Sequence, residues 1–130
     1  DALWIGMKAL GIKKGDEVIV QSNTYIATVM GITINGATPI FVEPDECFNM
    51  DVSKIEEKIT PKTKAILVTH LYGQATNMKP IVELKKNDYE KDFLHVFNAS
   101  SLFVCGHGTE VCADRHGIYF EEYPRLRNDK

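Results

Sequence analysis

Apolar residues recur along the first two thirds of the chain with a spacing that switches between helix and strand. Leu3, Met7 and Leu10 fall at i, i+4 and i+7, one face of a helix. Gly11 stops that helix, and Lys13 and Lys14 suit the negative end of its dipole. Gly15-Asp16 turns the chain into Glu17–Gln21, whose Val18-Ile19-Val20 core is apolar on both faces, as in a parallel strand covered on both sides. Ser22, Asn23 and Thr24 are good N-cap residues, so the next helix is expected near Tyr25, with Ile26, Val29, Met30, Thr33 and Ile34 as its inward stripe and Asn35-Gly36 as its end.

Thr38–Val42 is the next strand, followed by the acidic, solvated turn Glu43–Glu46. Asp51 or Ser53 caps a short helix bearing Val52, Ile55 and Ile59, and Lys64–Thr69 makes a third apolar strand. The loop His70–Gln74 follows it, and Pro80 sits in the first turn of a fourth helix through Ile81, Val82 and Leu84. Alternation of this kind predicts βαβ units, an α/β fold and a parallel sheet with right-handed crossovers. Every loop at the strands' carboxyl ends then shares one edge, which brings Tyr25 and His70–Gln74 to the same crevice. Trp4 and Tyr72 are read as packing residues, and His70 as a strand-end histidine bonded to backbone.

Composition changes this picture little. With 130 residues, 44% hydrophobic and 25% charged, the chain suits one soluble domain. A net charge of -3 without a basic run argues against nucleic acid or a membrane surface as partner. No apolar run is long enough to span a bilayer. Cys47, Cys105 and Cys112 make no disulfide framework, so the expected compartment is the cytoplasm. The chain opens at Asp1, almost inside its first helix, and reads as a piece of a longer protein.

An ordered set of segments carries a resemblance. It comprises Asp1-Ala2-Leu3, Ala9–Ile12, Gly15–Val20, Ser22–Thr28, Gly36–Pro39, Phe41–Glu43, Ile59–Ile66 and His70–Gln74. Together they resemble the DegT/DnrJ/EryC1/StrS sugar aminotransferases from Asp1 to about Lys86. The resemblance implies part of a fold-type I aminotransferase large domain, three-layered with a mostly parallel sheet. It also implies pyridoxal phosphate as cofactor, a nucleotide-linked keto-sugar as substrate, glutamate as amino donor, and a homodimer. Two cofactor-binding positions follow from it: Tyr25, whose ring stacks on the pyridine, and Asp1, at the start of the helix whose N–H groups hold the phosphate.

Past Lys86 the match is lost. Where the family carries an acidic motif that partners the pyridine nitrogen, this chain has Phe93–Ser101, with no aspartate in frame. No lysine lies between Lys91 and Lys130, so the Schiff-base lysine is not matched either. No catalytic residue and no metal ligand is therefore assigned. Residues 1–86 are taken as the partial large domain and 87–130 as a divergent tail, read as out-of-frame translation. Alone, the chain is expected not to catalyse transamination.

The tail admits a different class of function. Cys105, His107, Cys112 and His116 are ligand types that zinc takes, which would make the chain a non-catalytic binding module. Their spacing matches no usual finger. Ser100 and Ser101 lack the elbow motif of a nucleophilic serine.

Overall fold

A computed structural model describes residues 1–87 and the strands 95–98, 110–114 and 117–121, the last three as backbone alone. Helix α1, Ala2–Ala9, leads into strand β1, Glu17–Gln21. Helix α2, Ile26–Thr33, connects β1 to β2, Thr38–Val42. Two 3-10 turns, Val52–Lys54 and Glu56–Lys58, precede β3, Thr63–Val68. A further 3-10 turn, Leu71–Gly73, is followed by α3, Met78–Asn87, and β4, His95–Asn98. β5, Glu110–Asp114, and β6, Gly117–Glu121, pair as an antiparallel ladder.

The sheet runs β2-β1-β3-β4 with every pair parallel. Alternation along β1 divides the interior in two. Val18 and Val20 join Leu3, Met7, Ile12, Ile32 and Leu67 on one face, beneath α1 and α2. Ile19 joins Val42, Met50, Ile55, Ile66 and Ile81 on the other, beneath the 3-10 turns and α3. The sheet is therefore covered on both faces, as its runs of consecutive apolar residues require.

Several expectations needed correction. The segment expected as a short helix after Asp51 forms two separate 3-10 turns, although Asp51 caps the first as foreseen, accepting from Ser53 N at 3.1 Å. The inward face of α2 was misplaced. Thr28, Gly31 and Ile32 are buried, whereas Ile26, Met30 and Ile34 are exposed. The reason is Gly31. Lacking a side chain, it lets α1 approach so closely that a Cβ there would lie 2.8 Å from Leu3 Cβ. The β5–β6 hairpin was not foreseen, since no sustained alternation marks it.

Left-handed glycines occupy the turns at the amino edge of the sheet. Gly11 (φ 77°) and Gly15 (φ 95°) lie between α1 and β1, and Gly36 (φ 78°) between α2 and β2. Asp16 fastens the turn before β1, its carboxylate accepting from Lys13 N at 3.0 Å.

Candidate functional site

In chain order the strands run β1, then β2 on one side, then β3 on the other, so the winding reverses between β1 and β3. Helix α2 leaves β1 toward one face, and α3 leaves β3 toward the opposite face. The loops at the two carboxyl ends consequently part, and a crevice opens between them. Open α/β sheets bind their ligands at this point.

Tyr25 stands there. It is the N-cap of α2, with extended backbone (φ -65°, ψ 142°), and its side chain is 74% exposed. Ser22, Asn23 and Thr24, expected as caps, do not cap the helix. Thr24 instead donates its hydroxyl to Thr28 Oγ1 at 3.0 Å and lies 3.1 Å from Thr69 Oγ1, on the loop after β3. A hydroxyl carries one proton, so Thr69 donates to Thr24. Thr69 O in turn accepts from Thr76 Oγ1 at 3.4 Å, and Thr76 N donates to His70 Nδ1 at 3.1 Å. His70 therefore has the backbone bond foreseen for it, and its neutral form carries the ring proton on Nε2.

Asp1 reaches the same edge by way of α1. Asp1 and Ala2 line a groove with Ala27 and Met30, Leu3 meets Gly31, and Trp4 O accepts from Asn35 Nδ2 at 3.2 Å. These contacts rise together in number, so α1 and α2 run parallel and start at the same edge. The side chain of Asp1 makes no capping bond, which leaves the first N–H groups of α1 available to an anion.

Two loops meet over the end of β1. Phe48, after β2, and Tyr72, after β3, have left-handed backbones (φ 63° and 57°) and exposed rings in edge-to-face contact, centroids 6.5 Å apart. Tyr72 is thus not the packing residue expected; it is 88% exposed. Beneath them the fully buried Gln21 donates Nε2 to Phe48 O at 2.7 Å, and Asn23 Nδ2 donates to the same oxygen at 3.1 Å. Gln21 Oε1 and Asn49 Oδ1 are buried without a partner. Trp4, by contrast, packs as foreseen, half-buried, with Lys8 Nζ 5.6 Å from its ring centre.

Sequence reasoning missed Gln21, Phe48 and the Thr24–Thr69 pair. Thr24 was flagged by residue type alone, for a role it does not take.

The crevice fits a flat, anionic cofactor in two respects: an uncovered aromatic face and an uncapped helix start. Its third side is β4, which ends in Asn98, in register with Val68. An amide thus closes the strand within the stretch where the family's acidic motif belongs. Of the tail residues considered as ligands or nucleophiles, Ser100, Ser101, Cys105, His107 and His116 lie outside the described residues, and Cys112 is described only as backbone within β5. No helix among the described residues is long and apolar enough to cross a membrane.

The chain is similar to several proteins of known activity or structure. A dTDP-3-amino-3,6-dideoxy-alpha-D-galactopyranose transaminase of Aneurinibacillus thermoaerophilus is 58% identical over 121 residues, 92% of this chain and 29% of that protein. A GDP-perosamine synthase of Escherichia coli O157:H7 is 58% identical over 87 residues, 66% of this chain and 24% of that protein. Among solved structures, S. venezuelae DesV superposes with a TM-score of 0.71 at 39% identity, covering 85% of this chain and 28% of that one. NtdA from Bacillus subtilis, with bound PMP, gives a TM-score of 0.66 at 40% identity, covering 73% of this chain and 22% of that one. The chain spans under a third of the length of the curated relatives it matches. Their names and the PMP-bound neighbour agree with the expected cofactor chemistry, pyridoxal phosphate. The profile of the DegT/DnrJ/EryC1/StrS aminotransferase family matches residues 1–89, and the chain belongs to that family.

Proposed function

We propose that this chain forms the cofactor-facing part of a transaminase that moves an amino group from glutamate to a keto-sugar linked to a nucleoside diphosphate. The observation that carries the reading is the exposed Tyr25 ring beyond the carboxyl end of β1, on the same sheet edge as the uncapped start of α1. When bound, pyridoxal phosphate supplies the electron sink and the carrier of the amino group. Tyr25 offers its face to the ring and fixes the ring's plane. The first turn of α1, from Asp1, offers N–H donors and the positive end of a dipole to the phosphate.

The residues that bond the cofactor and hold its ring nitrogen protonated are not supplied by residues 1–87 in the family pattern. On this reading the chain binds cofactor weakly and does not turn over alone. The domain division follows the same line, with 1–86 as the partial large domain and 87–130 as its tail, whose β4, His95–Asn98, continues the same parallel sheet, and the Aneurinibacillus relative aligns over 121 residues, past that boundary. A homodimer with the site at its interface, and a cytoplasmic location, complete the proposal.

Titration with pyridoxamine phosphate, followed by its own fluorescence, tests the reading without requiring a covalent bond to the protein. Saturable binding is expected, weakened about fivefold in Tyr25→Ala, the order of one aromatic stacking contact. No binding to the unaltered chain, or equal binding by both proteins, overturns it.

A further inference from the structure

The crevice has a width, and something must set it. β1 and β3 are paired neighbours, Val20 opposite Leu67, and Thr69 directly follows β3, so the sheet fixes the base of the crevice, while the path of the β1 loop from Ser22 to Tyr25 is set by its own contacts. Tyr25 is 74% exposed, and its ring is correspondingly little supported by neighbouring side chains. Its place over the crevice is inherited from its backbone. That backbone is held from within α2 by Thr28 N donating to Tyr25 O at 2.9 Å. Across the crevice it is held by the preceding residue, through the contact of Thr24 Oγ1 with Thr69 Oγ1 at 3.1 Å.

We propose that Thr24 is a positioning residue for the Tyr25 platform, its hydroxyl tying the β1 loop to Thr69 across the crevice. The inference rests on the cofactor reading above and adds to it the tie that sets the ring's distance from the β3 loop. Three features support it. The hydroxyls form a directed chain, Thr69 to Thr24 to Thr28, in which Thr24 both accepts and donates. Thr28 is buried, 5% exposed, so the chain is anchored in the core of α2 rather than in solvent. Thr69 is itself braced, its carbonyl accepting from the buried Thr76, whose N–H holds His70. A displacement at Thr24 therefore passes to Tyr25 and not to β3.

The chemistry makes a sharp demand on the side chain. Serine keeps the hydroxyl that accepts and donates, whereas valine keeps the shape and removes it. Thr24→Val is expected to weaken pyridoxamine phosphate binding about fivefold, the order of one hydrogen bond, and Thr24→Ser to restore it to within about twofold of the unaltered chain. Thr69→Val is expected to match Thr24→Val. In a Tyr25→Ala background the Thr24→Val change should have no further effect, because the platform it positions is gone.

Far-UV circular dichroism and urea unfolding identify variants that fail to fold, and Thr69→Val reads the same tie from the other side. Equal binding by Thr24→Val and the unaltered chain overturns the inference and leaves the cofactor reading standing. So does a fivefold loss that persists undiminished in the Tyr25→Ala background. No binding by the unaltered chain overturns both.

Discussion

Gly31→Ala is the substitution for which helix propensity and packing give opposite answers. An alanine in the middle of α2 gains about 1 kcal/mol over glycine in intrinsic helix propensity. The added Cβ, however, lies 2.8 Å from Leu3 Cβ, 3.4 Å from Leu3 C and 3.5 Å from Trp4 N. Carbon atoms rest about 3.5–4.0 Å apart, so the Cβ pair must separate by roughly 1 Å. Leu3 Cβ and the two backbone atoms cannot swing aside, and the helices themselves have to part. Overpacking of that kind costs about 1–3 kcal/mol. The steric cost exceeds the gain in propensity, and Gly31→Ala is expected to destabilise by about 1 kcal/mol net, a fall in Tm of about 4–8 °C for a domain of 60–100 residues.

Urea unfolding followed by circular dichroism reads the change, with equal m-values showing that both proteins unfold alike. Leu3→Ala keeps the offending Cβ, so the Gly31→Ala penalty should persist in that background. A Gly31→Ala protein as stable as the parent, or more so, refutes the close-approach argument. A penalty abolished by Leu3→Ala refutes its assignment to Cβ.

Two further outcomes follow from local chemistry. Hydrogen bonds from Ser53 and Lys54 hold the Asp51 carboxyl below its ordinary value of 3.8. Its contribution to stability is thus present above pH 3.8 and is lost as pH falls through the lowered value; carboxyl NMR titration should give a midpoint below 3.8, moved back up in Ser53→Ala. Tyr72→Gly removes a ring that is 88% exposed and frees a backbone at φ 57°, so unfolding should show stability unchanged or raised by up to about 1 kcal/mol. A loss beyond about 1 kcal/mol would mean that the edge-to-face contact with Phe48 outweighs the relieved backbone strain.

The fold was largely legible because its strands are short apolar runs between turn residues. Val18-Ile19-Val20 and Ala65-Ile66-Leu67 allow few other arrangements. The inward face of α2 was not legible, since Ile26, Met30 and Ile34 repeat at i, i+4 and i+8 as convincingly as a core stripe does. What decides the face is the absence of a side chain at Gly31, and periodicity gives no weight to an absence. Tyr25 and the edge it occupies were reached from the position of its loop, before any contact was known. Thr24 was visible only as a polar residue before a helix. Its hydroxyl partner is Thr69, 45 residues away, and no local rule links the two. Phe48 and Tyr72 were beyond reach for a related reason: each adopts the backbone that glycine usually supplies.

The two edges of the sheet differ in how they meet that backbone conformation. At the amino edge the chain makes its left-handed turns with Gly11, Gly15 and Gly36, residues that take this conformation without steric cost. At the carboxyl edge it uses one such glycine, Gly73 (φ 77°), but also places Phe48 and Tyr72 in the same conformation, each at a cost of about 1–2 kcal/mol. The aromatic rings recover little of that cost, since both are exposed. The Phe48 carbonyl is instead gripped by two amides, from Gln21 and Asn23, and Gln21 is itself buried with one oxygen unpaired. Strain of this sort persists only where the surroundings over-determine it, and it gathers where a protein contacts its ligands. The edge that carries the strain is the edge that carries Tyr25, the Thr24–Thr69 tie and the start of α1. The distribution of strain thus selects the same edge as strand order does, from independent observations.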